Sequence, residues 1–128
     1  MSYITPRPIS SAELEVLQTT LLRASTPDAP HIEPGELKNL VVYSKCDCGC
    51  ASVGFLPEGA KPNENTKLVA DGLGLSPDNK QVGVIVYGSP GQFVELELYW
   101  HYDGGAPLPR AETIVPWERG AELTEAEQ

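Results

Sequence analysis

Ser10 stands three residues ahead of Glu13, and Leu14, Leu17 and Leu21 follow at helical spacing, so the hydrophobic pattern opens with a capped helix. Ile9 and Leu14 have the spacing of a hydrophobic staple, and the helix is predicted to begin at Ser11 and run to about Ala24. Its apolar stripe, Leu14, Leu17 and Leu21 with Val16 and Leu22 at its margins, calls for a sheet or a second helix to cover it. Pro27, Pro30, Pro34 and Gly35 then mark 25–36 as an irregular connection, with a single helical turn after Pro34.

From residue 40 the period changes to two. Short β-prone runs at Leu40 to Cys46 and Ala51 to Leu56 read as a hairpin, followed by runs at Thr66 to Ala70, Val82 to Tyr87 and Gln92 to Tyr102. Gly72, Gly74, Pro77, Asp78 and Asn79 read as the loop between the third and fourth. The last strand alternates most clearly, with Val94, Leu96, Leu98 and Trp100 on one face and Glu95, Glu97, Tyr99 and His101 on the other. Pro107, Pro109 and Pro116 then predict a segment that wraps the sheet without joining it and pins Trp117 against the surface. The expected fold is α+β, a mainly antiparallel sheet of about five strands with the N-terminal helix on one face, as a single domain over 1–117 followed by an acidic, frayed tail over 118–128.

The hairpin turn holds all three cysteines, in Cys46-Asp47-Cys48-Gly49-Cys50. Alternate residues of a straight strand lie about 7 Å apart, whereas sulfurs on one tetrahedral zinc sit about 3.8 Å apart, so an extended segment chelates poorly. A reversal at Asp47–Gly49, with Gly49 taking the positive φ, would set Cys46 opposite Cys50 and Cys48 at the tip. Three uses remain open: a zinc-type site completed by His31, His101, a nearby carboxylate, water or a second subunit; a redox pair; or small apolar side chains packing a turn. The spacing of paired Cys-x-x-Cys zinc motifs is absent.

Eighteen acidic residues face nine basic ones across 128 residues, a net charge of −9. Glu118, Glu122, Glu125 and Glu127 with Arg119 place three of those negative charges in the tail, leaving six on the body. Such a surface disfavours nucleic acid and anionic membranes and would attract a basic protein partner. No basic head with an apolar run and no membrane-length stretch is present, and the odd, clustered cysteines suit a reducing compartment, so a cytoplasmic protein is expected. Nucleophile elbows, phosphate loops and paired-histidine motifs are missing, and Asp71-Gly72-Leu73-Gly74-Leu75 lacks the third glycine of a nucleotide loop. Glu95 and Glu97 have the separation of a glycosidase pair, yet alternating glutamates more simply keep a strand face in water. A docking surface made by Glu95, Glu97, Tyr99 and His101 is the expected use of that face, and catalysis is not expected.

Four segments also carry a resemblance: Cys46 to Cys50, Val82 to Gly88, Val94 to Tyr99 and Asp103 to Pro109. In that order, after a capped helix, the chain resembles a group of small uncharacterised bacterial proteins with a Cys-x-Cys-Gly-Cys motif between the N-terminal helix and a C-terminal β-hairpin, over residues 10–110. The resemblance implies a bacterial cytosolic protein and carries no active site. The functional expectation is a non-catalytic interaction domain whose acidic sheet face engages another protein, immunity-type capping of a cationic toxin being one version. The alternative is a metal-binding protein using Cys46, Cys48 and Cys50.

Overall fold

Ser10 adopts an extended backbone and accepts the Glu13 N–H, while the Glu13 carboxylate accepts the Ser10 N–H. This reciprocal cap starts helix α1, which spans Ser11–Ala24 as predicted. The computed structural model describes residues 2–27, 34–61, 66–89 and 92–117, so His31 and the acidic tail lie outside the described residues. Around α1 come β1 (Ser2–Pro8), α2 (Pro34–Leu37), β2 (Leu40–Lys45), β3 (Val53–Pro57), β4 (Lys67–Leu75), β5 (Gln81–Ser89), β6 (Gln92–Tyr99), a 3-10 turn at Ala111–Thr113 and β7 (Val115–Pro116).

The strands form one antiparallel sheet in the order β1-β2-β3-β6-β5-β4-β7. It has seven strands where five were expected, because both borders are built from proline-bearing segments. β1 carries Pro6 and Pro8 and pairs only with β2, through a register shift between Tyr3 and Arg7. A border strand needs partners on one side alone, so missing proline N–H groups are tolerated there. At the other border, Val115 and Pro116 pair with Leu73 and Gly72; the C-terminal segment therefore joins the sheet it was expected only to wrap. Arg23 fastens this segment to α1 by donating to the carbonyls of Glu112 and Ile114 at 3.0 and 3.2 Å.

β4 also runs on to Leu75, through the glycines expected to form a loop. Gly72 and Gly74 occupy inward positions opposite Val84 and Val82, where Ile114 and Pro109 press so close that a side chain would crowd them. β6, by contrast, stops at Tyr99 and not at Tyr102. Trp100 turns its indole N–H to the Gly104 carbonyl at 3.1 Å, bending the chain away from the ladder.

Val16, Leu17, Thr20 and Ala24 are the buried face of α1, a stripe rotated from the predicted one: Leu14 and Leu21 are half-buried and Leu22 is 84% exposed. They meet inward side chains of the strands, among them Val42, Phe55, Val84, Val86, Leu96 and Leu98. Full burial of a side chain such as Leu17 contributes about 1.5–3 kcal/mol. Thr20 lies in this core without cost to its hydroxyl, which donates to the Val16 carbonyl at 2.7 Å. α1 packs against β4, β5 and β7, and among the described residues the outward side chains of β4, β5 and β6, such as Asp71, Tyr87, Glu95 and Glu97, are only half-buried.

Candidate metal centre and the open sheet face

β2 and β3 pair up to Lys45 and Val53, and Cys46 N–H adds a bond to the Ser52 carbonyl at 3.1 Å. The cysteines lie in the loop this closes. The backbone reverses over Asp47 and Cys48, and Gly49 has φ +89°, the left-handed conformation its missing side chain permits. The predicted reversal is present, but Cys46 does not face Cys50. Ser52 holds the opposite place because the loop is longer than a tight turn, and Cys46 is instead joined in a disulfide to Cys48, leaving Cys50 free.

The three sulfurs nevertheless form one cluster, all within 4.8 Å of one another, and could hold a metal ion. Cys48 Sγ and Cys50 Sγ are 2.8 Å apart. Each of the first two sulfurs accepts a backbone N–H from two residues on: Cys48 N–H to Cys46 Sγ at 3.3 Å and Cys50 N–H to Cys48 Sγ at 3.4 Å. The third sulfur is tied to the fold through Ser52, whose buried hydroxyl lies 3.3 Å from Cys50 Sγ, accepts the Leu98 N–H at 2.8 Å and reaches the Leu98 carbonyl at 3.3 Å.

Two further contacts fix the turn. Ala51 N–H bonds the Ala106 carbonyl at 2.8 Å, and Gly105 lies so close that a β-carbon there would fall among the backbone atoms of Gly49 and Cys50. Ser2 Oγ donates to Asp47 Oδ1 at 2.5 Å, linking the tip to β1. On one side Cys50 opens onto a cleft of about 570 Å³ that Arg7, Lys45 and Ser52 also line. His101 is exposed and outside the sulfur cluster. No histidine or carboxylate joins the three sulfurs among the described residues.

Glu95, Glu97 and Tyr99 do point together, away from the buried Leu96 and Leu98, but His101 lies beyond the end of β6 and outside their row. Sheet pairing sets Glu95 beside Tyr87 and Glu97 beside Ile85, with Asp71 next in line across β4. Burial pushes the Glu95 carboxyl above its usual range, and the neighbouring Glu97 charge adds to the shift. Burial likewise drives Tyr99 up to about 12, helped by Asp71, Tyr87 and Glu97. Aromatic rings flank the acids on both sides. Tyr43 lies against Gly54 and 5.9 Å from Tyr3, and Tyr99 lies across Gly83 and 5.3 Å from Trp117.

Tyr43, Tyr87, Trp117 and Asp71 were not singled out by sequence reasoning as members of this face. Alternation along β5 was a signal for Tyr87, whereas the other three are gathered only by strand order. Ser52 and Gly105, the supports of the cysteine turn, had no local signal at all. No family model, curated protein or solved structure matches the chain.

Proposed function

We propose that this chain is a non-catalytic metal-binding domain that takes a thiophilic ion, zinc first, through Cys46, Cys48 and Cys50. The observation that carries the reading is the convergence of three sulfurs within 4.8 Å on a turn supplied with N–H···S donors. Thiolates select soft or borderline cations of the zinc and copper(I) type over magnesium or calcium. Zinc–sulfur bonds of about 2.3 Å need sulfurs about 3.8 Å apart, a separation inside the 4.8 Å span of this cluster once the disulfide is reduced. The fourth zinc position would fall to water or to a group entering from the cleft. Such a centre is open, unlike a structural site closed by four protein ligands.

The metal has no folding role to fill, since the helix and sheet already enclose an apolar core. Metal and disulfide are alternative states of the same atoms. A dithiol that reduces the Cys46–Cys48 bond is itself oxidised to a disulfide and leaves two thiols, which give up their protons on binding the ion. A reducing, cytoplasmic setting accords with this reading.

The test is elemental analysis and zinc titration of reduced protein, beside a variant with all three cysteines changed to serine. One zinc per chain, lost in the variant, supports the assignment. A reduced protein with three titratable thiols and no metal uptake, or uptake unchanged in the variant, overturns it.

A further inference from the structure

The open face of the sheet combines two features that point to one kind of ligand. The first is a run of acidic side chains: Asp71 on β4 and Glu95 and Glu97 on β6 lie either side of β5, and no lysine or arginine shares the outward positions of β4, β5 and β6 among the described residues. The second is the pair of aromatic platforms at its flanks. A side chain at Gly83 would collide with Tyr99 and come within 3.0 Å of Trp117, whereas one at Gly54 would strike the Ser44 hydroxyl first and come within 3.1 Å of Tyr43. The bare Gly83 in mid-strand thus lets the Tyr99 ring lie down over the backbone, while Tyr43 rests beside Gly54 and Ser44. These half-buried rings sit on the same face as two carboxylates, Glu95 and Glu97, that already repel one another.

We propose that this face is a docking surface for a cationic polypeptide segment, with lysine or arginine side chains stacked on Tyr43 and on the Tyr99–Trp117 pair while their charged heads meet Glu95 and Glu97. Carboxylate and ring act on the same group, because a cation is attracted both by charge and by the aromatic quadrupole. Arginine fits best, as its planar guanidinium stacks and forks onto a carboxylate together. A second copy of this chain is disfavoured as the occupant, since two faces of like charge would have to meet. The inference is independent of the metal reading.

Binding of labelled oligoarginine, oligolysine and oligoglutamate peptides, followed by fluorescence anisotropy, tests it. Oligoarginine should bind, oligoglutamate should not, and affinity should fall as salt rises. Glu95→Gln with Glu97→Gln should weaken oligoarginine binding about tenfold or more, equivalent to about 1.4 kcal/mol. Glu15→Gln with Glu36→Gln, which removes two exposed charges elsewhere, should change it less than twofold. Tyr99→Leu, at unchanged net charge, should weaken it severalfold while circular dichroism reports an intact fold. Equal losses in the two glutamine pairs would reduce the effect to bulk charge and overturn the proposal, as would Tyr99→Leu binding like the parent. A dimer in sedimentation that Tyr99→Leu dissolves would overturn it in favour of a second copy.

Discussion

Replacing Arg7 with alanine should destabilise the protein by about 2 kcal/mol at neutral pH, and the loss should fade in acid. Arg7 binds Glu13 with both forks, Nη1 to Oε1 at 2.9 Å and Nη2 to Oε2 at 2.8 Å, joining β1 to the first turn of α1. The partners differ in exposure, 44% for the Arg7 side chain and 7% for Glu13. A buried pair broken on one side costs about 3–5 kcal/mol and an exposed pair about 0–1 kcal/mol. The solvent screening of Arg7 argues for a value between, and Ser10 N–H remains on the carboxylate to offset part of the loss. Glu13→Gln should cost less, about 1 kcal/mol, because glutamine can keep the cap and Arg7 can hydrate.

Burial works to raise the Glu13 pKa, but Arg7 and the Ser10 bonds together hold it below the usual carboxylate range. A depressed folded pKa means stability that is present above the unfolded value of about 4.3 and is lost as pH falls through the folded one. Urea denaturation of parent, both single variants and the double variant, at neutral pH and at about pH 3, gives the cycle. A neutral-pH loss under about 0.5 kcal/mol for Arg7→Ala, or a loss that persists unchanged in acid, would refute the ion-pair argument.

Cys50→Ser should lower zinc affinity at least tenfold and cost less than about 1 kcal/mol of unfolding free energy, since the side chain is only partly buried against the core and serine keeps its size; competition with a chromophoric chelator reads the first quantity and urea denaturation the second. Gly105→Ala should impair zinc uptake with every cysteine intact, because the added methyl must displace the Gly49–Cys50 backbone, and the same chelator assay measures it. Tyr99, pushed up to about 12 by burial and nearby acids, contributes stability that is full below the unfolded value of about 10 and is lost as pH rises through the folded one. Thermal melts of the parent should therefore drop in alkali, more steeply than those of Tyr99→Phe.

Local signals were legible wherever one segment carried its own answer. Ser10 and Glu13 mark the helix start to the residue, and the alternation of Glu95, Leu96, Glu97 and Leu98 marks β6, because each pattern depends on neighbours a few residues away. β1 was hidden by Pro6 and Pro8, which argue against a strand unless one already knows it lies at a border. Gly72 and Gly74 suggested a loop, since nothing nearby reveals that Ile114 and Pro109 need their missing side chains. In the candidate centre, Gly49 announced the reversal, while the partner of Cys46 depended on loop length and hence on where Lys45 meets Val53. The aromatic–acidic face was least legible, as Tyr43, Glu95, Tyr87 and Asp71 come from four strands whose order departs from chain order.

The two borders of the sheet also limit how anything can attach to it. Pro6 and Pro8 on β1 and Pro116 on β7 lack amide donors, and β7 offers only two residues of ladder. An incoming chain seeking to lengthen the sheet sideways would meet gaps in the hydrogen-bond row on either margin. Among the described residues, fibrillar stacking of one molecule alongside the next is thus discouraged.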